Sequence, residues 1–70
     1  MTGEGWDIKD FERTLRDAIR EDNRRVKEFA GEGWMRSVDL FDAVGLNGHG
    51  LVIEMTSGEV FEITVKRCTQ

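Results

Sequence analysis

The chain has 70 residues with 14 acidic and 10 basic side chains, and its net charge of −4 disfavours non-specific attraction to nucleic acid or to an anionic membrane. Its length predicts one small domain over residues 1–70, with a core so limited that a protein partner or a second copy of the chain is expected to add stability. The one cysteine, Cys68, excludes an internal disulfide, and with the one histidine, His49, it is too few for a His/Cys metal site, so we expect no metal and no cofactor.

The first predicted element is a long amphipathic helix over residues 7–30. Asp7 suits the N-cap position, and Gly31 suits the position just after the helix. Trp6 and Phe11 have the spacing of a hydrophobic staple. Apolar side chains recur along one side at helical spacing, at Ile8, Phe11, Leu15, Ala18, Ile19, Val26 and Phe29.

The apolar side of this helix is interrupted by a polar run over residues 20–25, with Asp22 in its middle. Three interpretations are open. The helix overhangs the rest of the domain there, it bends or breaks near Asn23, or Asp22 and Arg25 form a polar contact with a partner.

Residues 34–46 fit two patterns. Ser37 followed by residues 38–44 and then by Gly45 slightly favours a short capped helix. The same stretch also alternates as a strand that leads through Asn47 and Gly48 into the next element. Both interpretations give an α+β fold, in which one long N-terminal amphipathic helix packs on a small antiparallel β-sheet.

The C-terminal part predicts a β-hairpin with strands over residues 51–55 and 59–66. An odd loop of three residues, Thr56-Ser57-Gly58, with Gly58 in the left-handed region, keeps the apolar side chains of both strands on one face. That face carries Leu51, Ile53, Met55, Phe61, Ile63 and Val65. The opposite, outer face is then half apolar and half polar.

This outer face is the first candidate binding surface. Exposed apolar side chains among carboxylates are typical of a protein interface, above all with a basic partner. The residues predicted to bind there are Glu54, Glu62, Asp39, Asp42 and Trp34.

A basic ridge along the helix is the second candidate surface. It is formed by Arg13, Arg16, Arg20, Arg24 and Lys27, and it could follow a nucleic-acid backbone. Acidic side chains flank these cations, however, and no aromatic residue lies among them to stack on bases. A solvated face of ion pairs is therefore the favoured interpretation, contact with a protein partner is the next, and contact with nucleic acid is the least favoured.

No catalytic constellation is visible. His49 lies between Gly48 and Gly50 in a predicted turn, with no orienting partner nearby in the sequence. Glu54 and Glu62 are expected to point to solvent, whereas acid–base catalysis by two carboxylates requires burial or a substrate cleft. We therefore expect a protein that is not an enzyme.

The leading hypothesis is a small protein–protein interaction module, an adaptor or a stoichiometric inhibitor. Without an apolar run typical of a signal peptide or a membrane span, we expect it in the cytoplasm and away from membranes. Size and acidity are shared with small phage- or plasmid-encoded inhibitors of nucleic-acid machines, a resemblance of class that no motif supports. The alternatives are a nucleic-acid-binding regulator that uses the basic ridge, and a structural homo-oligomer such as a homodimer.

Overall fold

The structure, a computed structural model, describes residues 5–68; residues 1–4 and 69–70 of the predicted domain lie outside the described residues. Helix α1 spans Ile8–Ala30, and strands β1, β2 and β3 span Met35–Leu40, Gly50–Met55 and Val60–Thr64. A short 3-10 helix, Asp42–Val44, follows β1. The strands form an antiparallel sheet in the order β1-β2-β3, and α1 packs on one of its faces. The predicted α+β fold, with a long N-terminal helix on a small antiparallel sheet, is confirmed.

Both ends of α1 lie where the sequence predicts them. The Asp7 carbonyl accepts the first helical hydrogen bond, from the Phe11 N–H at 3.0 Å, although the Asp7 side chain makes no capping bond. The rings of Trp6 and Phe11 meet edge to face with their centroids 6.5 Å apart. Gly31 has a φ of 92°, and its N–H donates to the Lys27 carbonyl at 2.8 Å, which ends the helix.

The slight preference for a helix in the middle segment is wrong for most of it. Residues Met35–Leu40 form β1, the third strand of the sheet, and helical turns are confined to Asp42–Val44. The strand forms because Val38 and Leu40 alternate along it and pair with Ile53 and Leu51 of β2. The local pattern of this segment fits both a helix and a strand, and pairing with the neighbouring strand determines which of the two forms.

The hairpin has the predicted register. Leu51 pairs with Ile63 and Ile53 with Phe61, which places these four side chains on one face. The Met55 N–H donates to the Glu59 carbonyl at 2.8 Å, so the loop between them has three residues. Its last residue, Gly58, has a φ of 97°, as the left-handed position of this loop requires.

The core lies between α1 and the β1–β2 half of the sheet. Met35, Val38, Leu51 and Ile53 are buried, and Leu15 and Ile19 of α1 pack against them. The one buried residue of α1 is not apolar; it is Glu12. The helix packs against β1 and β2 but makes no close contact with β3 within the described chain.

The polar run in α1 does not break the helix, which continues to Ala30. The Asn23 side-chain oxygen accepts the backbone N–H groups of Trp34 at 2.7 Å and Met35 at 3.0 Å, and the Asp22 carboxylate accepts the Trp34 indole N–H at 3.1 Å. These polar residues therefore hold the start of β1 to the helix. Beyond them the helix extends past its contacts, and Phe29 is 95% exposed.

Candidate functional site

The outer face of the sheet, opposite α1, carries a cross-strand row of two carboxylates and a valine. Asp39 of β1 pairs with Val52 of β2, and Val52 pairs with Glu62 of β3, so the three side chains lie side by side. Adjacent strands are about 4.8 Å apart, which separates the backbone positions of Asp39 and Glu62 by about 10 Å. Within residues 5–68 neither carboxylate has an ion-pair partner, so both remain available to a positive group from outside.

A second row runs beside the first and contains Ser37, Glu54 and Val60. The Glu54 carboxylate is partly neutralised, because Arg36 donates to it at 3.2 Å and also to the Thr56 carbonyl at 3.3 Å. Val60 is 59% exposed. The outer face therefore combines accessible valines with three carboxylates and one guanidinium, as the half-apolar, acidic pattern of the sequence predicted.

Two residues assigned to this face lie elsewhere. Asp42 is in the 3-10 helix, where its carboxylate accepts a hydrogen bond from the Lys9 ammonium of α1 at 2.8 Å. This bond and the positive charge of Lys9 lower the pKa of Asp42. Trp34 packs against the core and donates to Asp22 of α1, so it lies on the helix side of the sheet. The prediction that Asp42 and Trp34 belong to the outer face is therefore wrong. Both side chains instead form hydrogen bonds with residues of α1.

The basic ridge is largely a set of ion pairs within the chain. Arg13 lies 3.6 Å from Asp10, and Arg16 lies 3.2 Å from Asp17. The five predicted cations do not act as a free row, because three of them face carboxylates of α1 and a fourth turns to the sheet.

Two arginines of the ridge show this most clearly. Arg24 bridges Glu21 and Glu28, one turn before and one turn after it, and its hydrogen bond lowers the pKa of Glu21. Arg20 turns toward the sheet, where its guanidinium donates to the Val38 carbonyl at 3.5 Å. Of the five side chains, that of Lys27 alone makes no hydrogen bond or ion pair with residues 5–68. A phosphate backbone would have to compete with these carboxylates.

A buried carboxylate on α1 contacts the turn histidine. Glu12 is 3% exposed; one of its oxygens accepts the backbone N–H of Gly50, and the other lies 3.4 Å from Nδ1 of His49. The sequence offered no orienting partner for His49, and the fold supplies one from 37 residues away. A signal for it exists: Glu12 lies four residues after Ile8 and three before Leu15, inside the apolar stripe.

The geometry of this pair favours a structural role. The Glu12 carboxylate connects the first half of α1 to the start of β2, where Gly50 is buried. A Cβ at Gly50 would collide with the Ile63 carbonyl and with the ring of Phe41, so only glycine fits at this position.

Comparison of the chain with protein-family models, with curated proteins and with solved structures finds no match. Over residues 5–68 the structure has no helix with the length and apolar character that crossing a membrane requires. The same residues contain no group of three or more His, Cys, Asp or Glu side chains that could hold a metal ion. The candidate site is therefore described by its own geometry: it is the outer sheet face, where Asp39 and Glu62 flank Val52.

Proposed function

We propose that this protein is a small, non-catalytic interaction module of the cytoplasm, which binds a protein partner with a basic surface through the outer face of its sheet. One observation carries the proposal: Asp39 and Glu62 flank Val52 on an uncovered face and have no cation of residues 5–68 beside them. Unpaired carboxylates around accessible apolar side chains fit a partner that brings its own lysines or arginines.

Binding of this kind is steric and electrostatic. The backbone positions of the two carboxylate residues lie about 10 Å apart in one cross-strand row, so the strand pairing sets their spacing before a partner docks and less ordering entropy is lost on binding. Val52 and Val60 supply apolar contact between and beside the charges. On a surface that otherwise holds a phosphate backbone, these carboxylates would occupy phosphate positions, and the module would act as a stoichiometric inhibitor; on another basic surface it would act as an adaptor.

The basic ridge supports a nucleic-acid-binding function less well. Arg13, Arg16 and Arg24 face carboxylates of α1, and the net charge of the chain is −4. Surface ion pairs contribute little to stability, but they lower the positive potential that attracts a phosphate backbone.

The test is a titration of a fluorescently labelled lysine-rich peptide with the purified protein, followed by anisotropy at low and moderate salt. The test variant carries Asp39→Lys and Glu62→Lys on the outer face. The matched control carries Asp17→Lys and Glu28→Lys, which change the net charge equally but lie on α1, with side chains 64% and 65% exposed.

We expect the outer-face variant to bind the peptide at least about tenfold more weakly than the wild type, a loss of about 1.4 kcal/mol, and the helix variant to keep most of its affinity. Equal losses in both variants would mean that net charge alone attracts the peptide, and the proposal would fail. A parallel titration of labelled duplex DNA is expected to show no binding. Salt-sensitive DNA binding by the wild type would instead assign the function to the basic ridge.

A further inference from the structure

The helix leaves the β3 side of its own sheet face uncovered. On the face that α1 covers over β1 and β2, Phe61 is 51% exposed and Ile63 is 38% exposed. The apolar surface continues beyond the end of β3, where Trp6 and Phe11 line a hollow together with Val65. Large side chains that belong to the core by register are thus left in water, so the core is incomplete on this side.

The backbone of β3 is unpaired along the same border. The Met55 N–H bonds to the Glu59 carbonyl, and the Val65 N–H bonds to the His49 carbonyl. Because paired and unpaired residues alternate along an antiparallel strand, the odd-numbered residues of β3 bond to β2. The even-numbered residues Val60, Glu62 and Thr64 therefore direct their N–H and C=O groups to the free edge of the sheet.

The other edge of the sheet is blocked. Arg20 donates to the outward-facing Val38 carbonyl, and the β1–β2 register shifts between Met35 and Ser37, an irregularity of the kind that hinders strand addition. The β2–β3 ladder runs from Val60 to Thr64 in one constant register. A strand can therefore add to β3 far more readily than to β1.

We propose that the occupant of this edge is β3 of a second copy of the chain, paired antiparallel across a two-fold axis at Ile63. The two sheets then form one six-stranded sheet with a helix from each copy on the same face. Ile63 faces Ile63 of the second copy, and Phe61 faces its Val65, so the uncovered apolar side chains meet. Glu62 and Thr64 form the hydrogen-bonded pairs, which agrees with the outward direction of their backbone groups.

The charges and the side-chain alternation along β3 disfavour two neighbouring registers. A shift of two residues toward the hairpin loop would place Glu62 directly opposite Glu62 of the second copy, and like charges at that distance are destabilising. A shift of one residue would turn the apolar side chains to the opposite face. In the proposed register Glu59 instead faces Arg67 of the second copy, and Val60 faces its Lys66. Opposite charges thus flank an apolar centre.

The first test is the mass of the native chain by sedimentation velocity. We expect twice the 8.0 kDa of one chain for the wild type and the mass of one folded chain for Ile63→Lys, with circular dichroism to verify folding. The control is Phe29→Lys, which removes the most exposed large apolar side chain far from β3 and is expected to leave the dimer mass unchanged. A wild type at the mass of one chain at every concentration, or an Ile63→Lys variant that stays dimeric, would overturn the proposal.

The second test reads the register by disulfide formation in a Cys68→Ser background. Facing residues in a non-hydrogen-bonded antiparallel pair have Cα atoms about 4.5 Å apart, within the range of a disulfide. We expect Ile63→Cys to cross-link on mild oxidation, as seen by non-reducing electrophoresis, and Glu62→Cys not to do so. Cross-linking of Glu62→Cys alone, or of neither variant, would overturn the register. Ile63 and the outer face lie on opposite sides of the sheet, so these results are independent of the peptide titration.

Discussion

Replacing Glu12 is expected to destabilise the domain more than any other exchange of a charged residue. In Glu12→Ala the buried N–H of Gly50 loses its acceptor, and a buried donor without a partner costs about 1–3 kcal/mol. The bond is charge-assisted, which puts the expected loss in the free energy of unfolding at about 2–3 kcal/mol. A core of this size supplies only about 3–5 kcal/mol, so the variant would retain at most about 3 kcal/mol of its free energy of unfolding.

Urea unfolding at one fixed protein concentration, followed by circular dichroism, measures this loss. Glu12→Gln keeps an oxygen that accepts the same N–H, and its expected loss is about 1 kcal/mol. The control, Glu28→Ala, removes an exposed carboxylate from the same helix and is expected to cost at most about 1 kcal/mol. A Glu12→Ala midpoint equal to that of the wild type, or a Gln variant as unstable as the Ala variant, would refute the role given to this hydrogen bond.

Three further predictions concern other contacts. Gly50→Ala is expected to break the β2–β3 pairing next to Ile63, at a cost of about 1–3 kcal/mol, with loss of cross-strand NMR contacts as the readout. The hydrogen bond from Lys9 lowers the pKa of Asp42, so the stability that this bond contributes is complete above the ordinary pKa of an aspartate and is lost as the pH falls through the lowered pKa. In Lys9→Met the pKa of Asp42, measured by NMR titration, is expected to rise. An unchanged pKa would contradict the bond. Asn23→Ala removes the acceptor for two backbone N–H groups at the start of β1 and is expected to lower the free energy of unfolding by about 2 kcal/mol, as measured by thermal melting. Asn23→Asp keeps the acceptor, and its free energy of unfolding should fall by less.

The parts of the fold that the sequence predicts correctly are those with a local physical cause. Gly31 and Gly58 adopt the left-handed conformations that their positions require. The hairpin register follows from the alternation of apolar and polar side chains along its strands, because only a loop with an odd number of residues puts Ile53 and Phe61 on one face. Neither inference needs knowledge of a distant contact.

The parts that the sequence predicts poorly depend on contacts between distant segments. Residues Met35–Leu40 form a strand because β2 is there to pair with them, whereas their local pattern fits both a strand and a short helix. Trp34 lies on the helix side because Asp22 accepts its indole N–H. The burial of Glu12 depends on an N–H that lies 38 residues further along the chain. Of the outer face, Asp39, Glu54 and Glu62 could be placed, since strand alternation alone fixes their side of the sheet.

The separation of α1 from β3 has a consequence for the motions of the chain. Every residue of β3 is exposed, and β3 is held to the rest of a single chain chiefly by its ladder to β2. Its local opening therefore requires less free energy than global unfolding, and its amides should exchange with solvent faster than those of β1 and β2. While β3 is detached, the backbone groups of Leu51 and Ile53 lose their partners. The buried centre of the sheet then becomes an open edge, and this transient species is the one most prone to aggregate.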